Sequence, residues 1–363
     1  MNLNQLVNEI SLKYNYDDEL KQAILITIPL MVEEYGEDSL EDIIKLFKNT
    51  RIFSTPDMGY NNRKKIADSM TSKYNSHIKS EETDPYQNGN SEPGSYYSYE
   101  TIYDQNMNIV GEARWIVVKD MKDEINGQDY KQIFGTTINM PYFIHEINHA
   151  FAMQNAIYTK QGNQITSKHG MYEQVYSFSN DGESISLTEE SNSHIILEEA
   201  MNEKITQDML VSLLQAKDYT EVTDILKSIN HITTSYSVIL ITLIEKLEKI
   251  MGKEKLLSLR KDNDMSVITE FNSFAKESEI AQKYIKEENP FNYFSKKCFE
   301  LFRLKCEGYK MSIDEYEAKS KKLMVEAFIP LCAYQNQKLG TIDLEKFDEI
   351  RNNILGIETT KKL

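Results

Sequence analysis

The sequence predicts an α+β fold that is mainly α-helical, with a small mixed or antiparallel sheet and a helical C-terminal half. Apolar residues recur three or four apart through most of the N-terminal region, as in amphipathic helices. Alternating or apolar runs typical of strands are confined to the middle of the chain. From Ser193 to the end the pattern is again almost purely helical. We therefore expect two helical regions, with the sheet-forming residues between them in the chain.

The N-terminal region contains three segments with helical periodicity: Asn2–Tyr14, Asp18–Tyr35 and Ser39–Lys48. Ser39 is followed three residues later by Asp42, which resembles an N-terminal cap for the third segment. A weaker helical pattern covers Asn61–Lys73. Residues 1–78 are therefore predicted to form a helical region.

Lys79–Tyr99 is the clearest predicted loop, because it holds Pro85 and Pro93 together with glycine, serine and asparagine. A flap over a cleft has the same composition, and a linker is the simpler interpretation. The sequence thus predicts four regions: helices at 1–78, a linker at 79–99, a core at 100–209 and a helical C-terminal domain at 210–363.

The predicted core contains the segments with strand character. Thr101–Tyr103 and Ile109–Lys119 predict a hairpin. Met171–Phe178 and Ser184–Thr188 predict a second one, because an Asp-Gly pair lies between them. The short segment Phe134–Met140 predicts a further strand. Beyond the core, breaks between the C-terminal helices are expected near four points: Lys217-Asp218, Gly252-Lys253, Asn289-Pro290 and Gly340.

Composition argues against several classes of partner. The chain has 57 acidic and 41 basic residues and a formal charge of −16, so its surface repels phosphate backbones and anionic lipid. Neither a nucleic acid nor a membrane is therefore expected as a partner. The three cysteines, Cys298, Cys306 and Cys332, form no CxxC pair and predict free thiols in a reducing compartment. No secretory signal or membrane-spanning run is recognisable, so a cytoplasmic location is expected.

The motif His145-Glu146-Ile147-Asn148-His149 carries the most specific chemistry in the chain. Pro141 suits a first helical turn, and no further proline or glycine interrupts the segment until Gly162. On a helix, His145 and His149 project from one face a turn apart, so two imidazoles reach one small cation. Glu146 lies beside them, where it would take a proton from water at the metal rather than bind the metal itself.

A catalytic zinc site normally has three protein ligands and keeps a fourth position open. A third histidine in the pattern HExxHxxGxxH is excluded, because Ala152 and Asn155 occupy the required positions. A carboxylate from the later segment Leu197–Thr206 is the remaining option. Glu199 is the predicted third ligand, and Glu203, one turn on, would orient a liganding histidine. Three other residues are kept as alternative ligands: Glu198, Glu190 and His194.

The combination of HEINHA with the later LEEAMNEKIT resembles the gluzincin zinc metallopeptidases, which pair HExxH with a downstream glutamate helix. The resemblance covers about Phe134–Asp208. It implies one zinc ion per chain, held by His145, His149 and Glu199, with Glu146 as the catalytic glutamate. It also implies a peptide or protein substrate and zincin-type active-site helices within the predicted core.

Gluzincins commonly add a tyrosine or histidine that stabilises the oxyanion of the tetrahedral intermediate. The segment between the two motif helices offers three such residues, ranked Tyr172, His169 and Tyr176. In the same family an edge strand binds the substrate backbone, and Phe134–Met140 or Trp115–Lys119 is expected to serve here.

The sequence therefore favours a zinc-dependent metallopeptidase, with metal-activated water and a glutamate general base. A non-catalytic zinc-binding regulatory or interaction protein with a zincin-like fold is the alternative. The intact Glu146 favours the enzyme, since a structural site has no use for a base. A zinc hydrolase acting on another bond is a third possibility that sequence does not separate from the first.

Overall fold

The prediction of a mainly helical α+β fold is confirmed, with helices before, between and after two small sheets and one two-stranded ribbon in the described residues. The structure is a computed structural model, and it describes residues 2–54, 79–80, 95–104, 106, 108–118, 122–125, 127–179, 184–190, 192–219, 225, 238–285 and 289–339.

The chain forms two compact units that interleave along the sequence. One unit comprises Met1–Ser167, Gln174–Glu189 and Ile205–Thr234. The other comprises Lys168–Glu173, Glu190–Lys204 and Ser235–Leu363. The four regions predicted from sequence stay predictions.

The first unit begins with three helices close to their predicted bounds: α1 (Leu3–Tyr14), α2 (Asp18–Tyr35) and α3 (Leu40–Asn49). The side chain of Asp17 caps α2 by accepting a hydrogen bond from the Leu20 N–H, at 2.8 Å. The predicted Ser39 cap is wrong, because Ser39 ends a short 3₁₀ turn and its hydroxyl donates to the Tyr35 carbonyl instead. The weaker helical pattern at Asn61–Lys73 lies outside the described residues.

A three-stranded sheet follows, with strand order β1 (Thr50–Phe53), β4 (Ile109–Val118) and β3 (Ser95–Tyr103). The predicted hairpin is confirmed, since β3 and β4 are antiparallel, and Asp104 closes their turn by accepting from the N–H groups of Asn106 and Asn108. The strand β1 pairs with β4 in parallel. The predicted loop at Lys79–Tyr99 is wrong at both ends. Lys79–Ser80 forms β2, and the last residues of the predicted loop, from Ser95 on, belong to β3.

A five-stranded sheet has the order β2, β10 (Ser184–Glu190), β9 (Tyr172–Phe178), β8 (Gln164–His169) and β7 (Ile157–Gln161). The second predicted hairpin is confirmed, because β9 and β10 are neighbours and the Ser179 N–H donates to the Ser184 carbonyl. Residues 180–183 of its turn lie outside the described part of the chain. The remaining ribbon consists of β5 (Glu124–Ile125) and β6 (Gln128–Asp129).

The strand predicted at Phe134–Met140 is wrong. Helix α4 (Tyr130–Phe134) ends at Gly135, whose φ of 86° lies in the left-handed region. The segment after it forms a single bridge at Ile138 rather than a strand, and the Thr137 carbonyl accepts from the Lys122 N–H at 2.9 Å. The Glu19 carboxylate accepts from the Thr137 N–H at 2.8 Å, and the Met140 N–H donates to the Tyr130 hydroxyl at 2.9 Å. Helix α5 (Met140–Met153), which carries the HExxH motif, begins at that bond.

Helix α6 (Asn192–Ala216) contributes residues to both units. The described residues of the second unit form six further helices: α7 (Val238–Met251), α8 (Lys253–Lys261), α9 (Ser266–Glu277), α10 (Glu279–Tyr284), α11 (Pro290–Glu307) and α12 (Ile313–Leu339). Three of the four breaks expected from sequence are confirmed, at Lys217-Asp218, Gly252-Lys253 and Asn289-Pro290, and the fourth, at Gly340, lies outside the described residues. Asn289, for example, caps α11 by accepting from the Asn292 N–H. Buried aromatic side chains form part of the core of this unit: Phe271, Phe291, Phe294 and Tyr334.

Among the described residues, no helix combines the length and the apolar character needed to cross a membrane.

Candidate metal centre

Helix α5 is buried on almost every side. Eleven of its 14 residues are buried, and the three that are not are Tyr142, His145 and His149. These three lie at i, i+3 and i+7, which is a single stripe along a helix. The sequence folds this way because the rest of the helix is uncharged apart from Glu146. The two histidines therefore lie on the one side of α5 that solvent reaches.

The two histidine rings face one another across one helical turn. Their Nε2 atoms are 3.1 Å apart, and the rings meet edge to face with centroids separated by 4.8 Å. Two nitrogens bound to one zinc at about 2.0–2.1 Å in tetrahedral geometry lie about 3.3 Å from each other. The spacing of the pair therefore suits a shared cation.

Glu199, on α6, completes a group of three candidate ligands. Each of His145, His149 and Glu199 offers one ligand atom, and these atoms all lie within 4.8 Å of one another. All three side chains are partly exposed. Two imidazole nitrogens and one carboxylate oxygen are the donors of one class of catalytic zinc site, so the residues present fit zinc.

Glu146 is held beside this group by the backbone of β3. Its side chain is buried, and Oε2 accepts a hydrogen bond from the Tyr97 N–H at 2.7 Å. This bond fixes the rotation of the carboxylate. Burial raises the pKa of the Tyr97 phenol well above its usual range, so that hydroxyl stays neutral.

Asn148, inside the motif, joins three helices. It is fully buried, and its Oδ1 accepts from the Tyr35 hydroxyl of α2 at 3.0 Å. Its Nδ2 donates to the Thr206 hydroxyl of α6 at 3.5 Å and approaches the sulfur of Met209 at the same distance.

The neighbouring acidic residues of α6 have different surroundings. Glu198 is buried and accepts from the Arg260 guanidinium at 2.7 Å, so it is occupied by an ion pair. Glu203 is also buried, one turn after Glu199, and its expected role in orienting a histidine stays a prediction. Of the other alternative ligands, His194 contacts Asn292 at 3.1 Å, and the side chain of Glu190 lies outside what the structure describes.

The residues predicted to stabilise an oxyanion lie around the β8–β9 turn. The buried His169 ring packs edge-on against Tyr172, with centroids 4.7 Å apart. The Tyr176 hydroxyl donates to the Gln174 amide oxygen, which also accepts from Tyr99. Their catalytic roles stay predictions.

Three residues that matter to the geometry were missed from the sequence: Tyr97, Asn148 and Arg260. Asn148 had a usable signal, because it is an amide in a helix whose other residues, apart from His145, Glu146 and His149, are apolar or aromatic. Tyr97 had none, since it acts through its backbone N–H. Arg260 pairs with a residue 62 positions away, and no local pattern marks such a pairing.

Comparison of the chain with models of protein families, with curated proteins and with solved structures gives no match.

Proposed function

We propose that this chain is a zinc-dependent hydrolase that cleaves peptide bonds. The observation that carries the proposal is the grouping of ligand atoms from His145, His149 and Glu199 within 4.8 Å, with the Glu146 carboxylate on the same helix as both histidines. Three ligands leave a zinc ion one coordination position for water or substrate. A site built only for structure has no need of an anchored carboxylate there.

Each residue has a distinct part in this proposal. His145 and His149 would hold the metal through Nε2, and Glu199 would hold it through its carboxylate. A bound zinc ion supplies acidity to water and polarises a carbonyl group. Glu146 accepts the proton from the attacking water and passes it to the leaving amine. The Tyr97 N–H holds the Glu146 carboxylate in place for both transfers.

A peptide is the favoured substrate because of the position of β3. In the part of the chain that the structure describes, β3 pairs with a strand on one side only, and its Tyr97 contacts Glu146. An extended peptide binds to such an edge by adding a strand. The substrate strands expected from sequence are unsuited, since Phe134–Met140 is not a strand and β4 is paired on both sides.

A cytoplasmic location is part of the same proposal. The three cysteines are free thiols, as expected in a reducing compartment, and Cys298 and Cys332 are buried.

Metal analysis of the purified chain tests the site. We expect about one zinc per wild-type chain, and loss of most of it in His149→Ala and in Glu199→Gln. The control is His194→Ala, which removes a partly exposed histidine of α6 outside the ligand group and is expected to keep its zinc. A wild-type chain that takes up no zinc would exclude the proposal.

Cleavage of a peptide library tests the chemistry. Glu146→Gln is expected to keep zinc and lose cleavage, because it loses the base but no ligand. A wild-type chain that binds zinc and cleaves no peptide would favour the non-catalytic, metal-binding regulator.

A further inference from the structure

The polar residues of α6 near the candidate site occupy two faces of the helix. Glu199 and Glu203 are four apart and share one face, whereas Glu198 and Asn202 are four apart and share another. Adjacent residues of a helix are rotated by about 100°. The rotation of α6 about its own axis therefore decides which of the two adjacent glutamates projects toward a given point.

Arg260 of α8 contacts both residues of the second face. Its side chain is fully buried, with Nε donating to Glu198 Oε1 at 2.7 Å and Nη2 donating to Asn202 Oδ1 at 2.6 Å. The guanidinium group is planar and rigid, so a single side chain holds two positions one turn apart. These two hydrogen bonds oppose rotation of α6 about its own axis.

The second oxygen of the Glu198 carboxylate is held by the β8–β9 turn. Oε2 accepts from the Met171 N–H at 3.3 Å. Gly170, at φ 53°, lies so close that an added Cβ would meet Oε2 at 2.7 Å. The Gly170 N–H in turn donates to Asn263 Oδ1 at 2.7 Å. The turn and Arg260 thus enclose Glu198 between them.

We infer that Arg260 is a positioning residue, which keeps Glu198 away from the metal and sets the rotation of α6 so that Glu199 is the carboxylate ligand. The inference rests on the proposed zinc site and assigns no contact between Arg260 and the metal. Stability is a weak explanation for the pair, since apolar residues of similar volume often replace a buried ion pair without loss. A need to fix which of two adjacent carboxylates binds the metal does explain why a buried arginine bonds two successive turns of one helix.

The experiment is a double-mutant cycle on the zinc dissociation constant of the full chain, measured by competition with a chromophoric chelator. The pair variant carries Arg260→Met with Glu198→Leu, and it is made in the wild-type and the Glu199→Gln backgrounds. We expect the pair variant to bind zinc about 10–100-fold more weakly than wild type. In the Glu199→Gln background the same change is expected to weaken binding less than about threefold, because Arg260 acts through Glu199.

The control is a second ion pair made by α6, between its Lys204 and Glu248 of α7, at 2.9 Å. Lys204→Met with Glu248→Leu is expected to leave the zinc dissociation constant within about threefold of wild type. Thermal unfolding of the zinc-free proteins identifies variants that do not fold. If the pair variant is among them, Arg260→Lys takes its place with the same expectations, since lysine keeps the charge but not the planar fork.

Two results would overturn the inference. One is a folded pair variant with the wild-type zinc affinity. The other is an equal loss of affinity in both backgrounds, which would mean that Arg260 acts on the whole fold rather than through Glu199. Failure of the proposed function is separable from both, because wild type would then bind no zinc at all.

Discussion

Replacing Asn148 by alanine tests how the motif helix is held in place. The side chain is fully buried, and its Oδ1 accepts from the Tyr35 hydroxyl at 3.0 Å. Removing this acceptor inside the protein costs about 1–3 kcal/mol. The bond to Thr206 is long, at 3.5 Å, and adds little. With a small term for the space left behind, Asn148→Ala is expected to lower the free energy of unfolding by about 2–3 kcal/mol.

The assay is urea unfolding followed by circular dichroism, with the same slope against urea concentration in each variant. Tyr35→Phe removes the donor of the same bond and is expected to cost about 1 kcal/mol. If loss of the Tyr35–Asn148 hydrogen bond causes the destabilisation, Asn148→Ala lowers the free energy of unfolding by about 1 kcal/mol less in the Tyr35→Phe background than in wild type. A cost for Asn148→Ala below about 0.5 kcal/mol would refute the reasoning, because a buried hydroxyl would then have lost its acceptor without penalty.

Two further predictions concern the site and the segment before it. Tyr97→Pro removes the N–H that bonds Glu146, and we expect peptide cleavage at least about tenfold slower than in Tyr97→Ala, with unchanged zinc content by metal analysis. Equal rates in the two variants would contradict this role of the N–H. For Glu19, hydrogen bonds from Lys131 and from the Thr137 N–H lower its pKa to about 2. Since the unfolded value is about 4.3, this stabilisation is complete above that pH and is lost as the pH falls toward 2. Glu19→Gln is therefore expected to cost about 1 kcal/mol at pH 7 after allowance for screening, with the difference from wild type vanishing near pH 2 in pH-dependent urea titrations. A difference independent of pH would exclude the ionised carboxylate as the cause.

Local sequence determined most of the helices and the main feature of the candidate site. Periodicity predicted α1, α2 and α3 to within about two residues, because each helix buries an apolar stripe whose spacing is visible in the chain. The four-residue spacing of His145 and His149 was enough to put them on one face, since 3.6 residues make a turn. The hairpin of β3 and β4 was equally local, with its turn closed by Asp104.

Tertiary structure decided what depends on residues far apart in the chain. The segment after α4 looked like a strand, and Glu19, more than a hundred residues earlier, takes its backbone hydrogen bond instead. The sequence offered both Glu198 and Glu199 as ligands, and Arg260 occupies the first while the second lies with the histidines. The identity of the edge strand was also not local, since it depends on which strands pair. Spacing along a helix is a property of the chain, whereas the rotation of one helix relative to another is set by buried contacts such as those of Arg260 and Asn148.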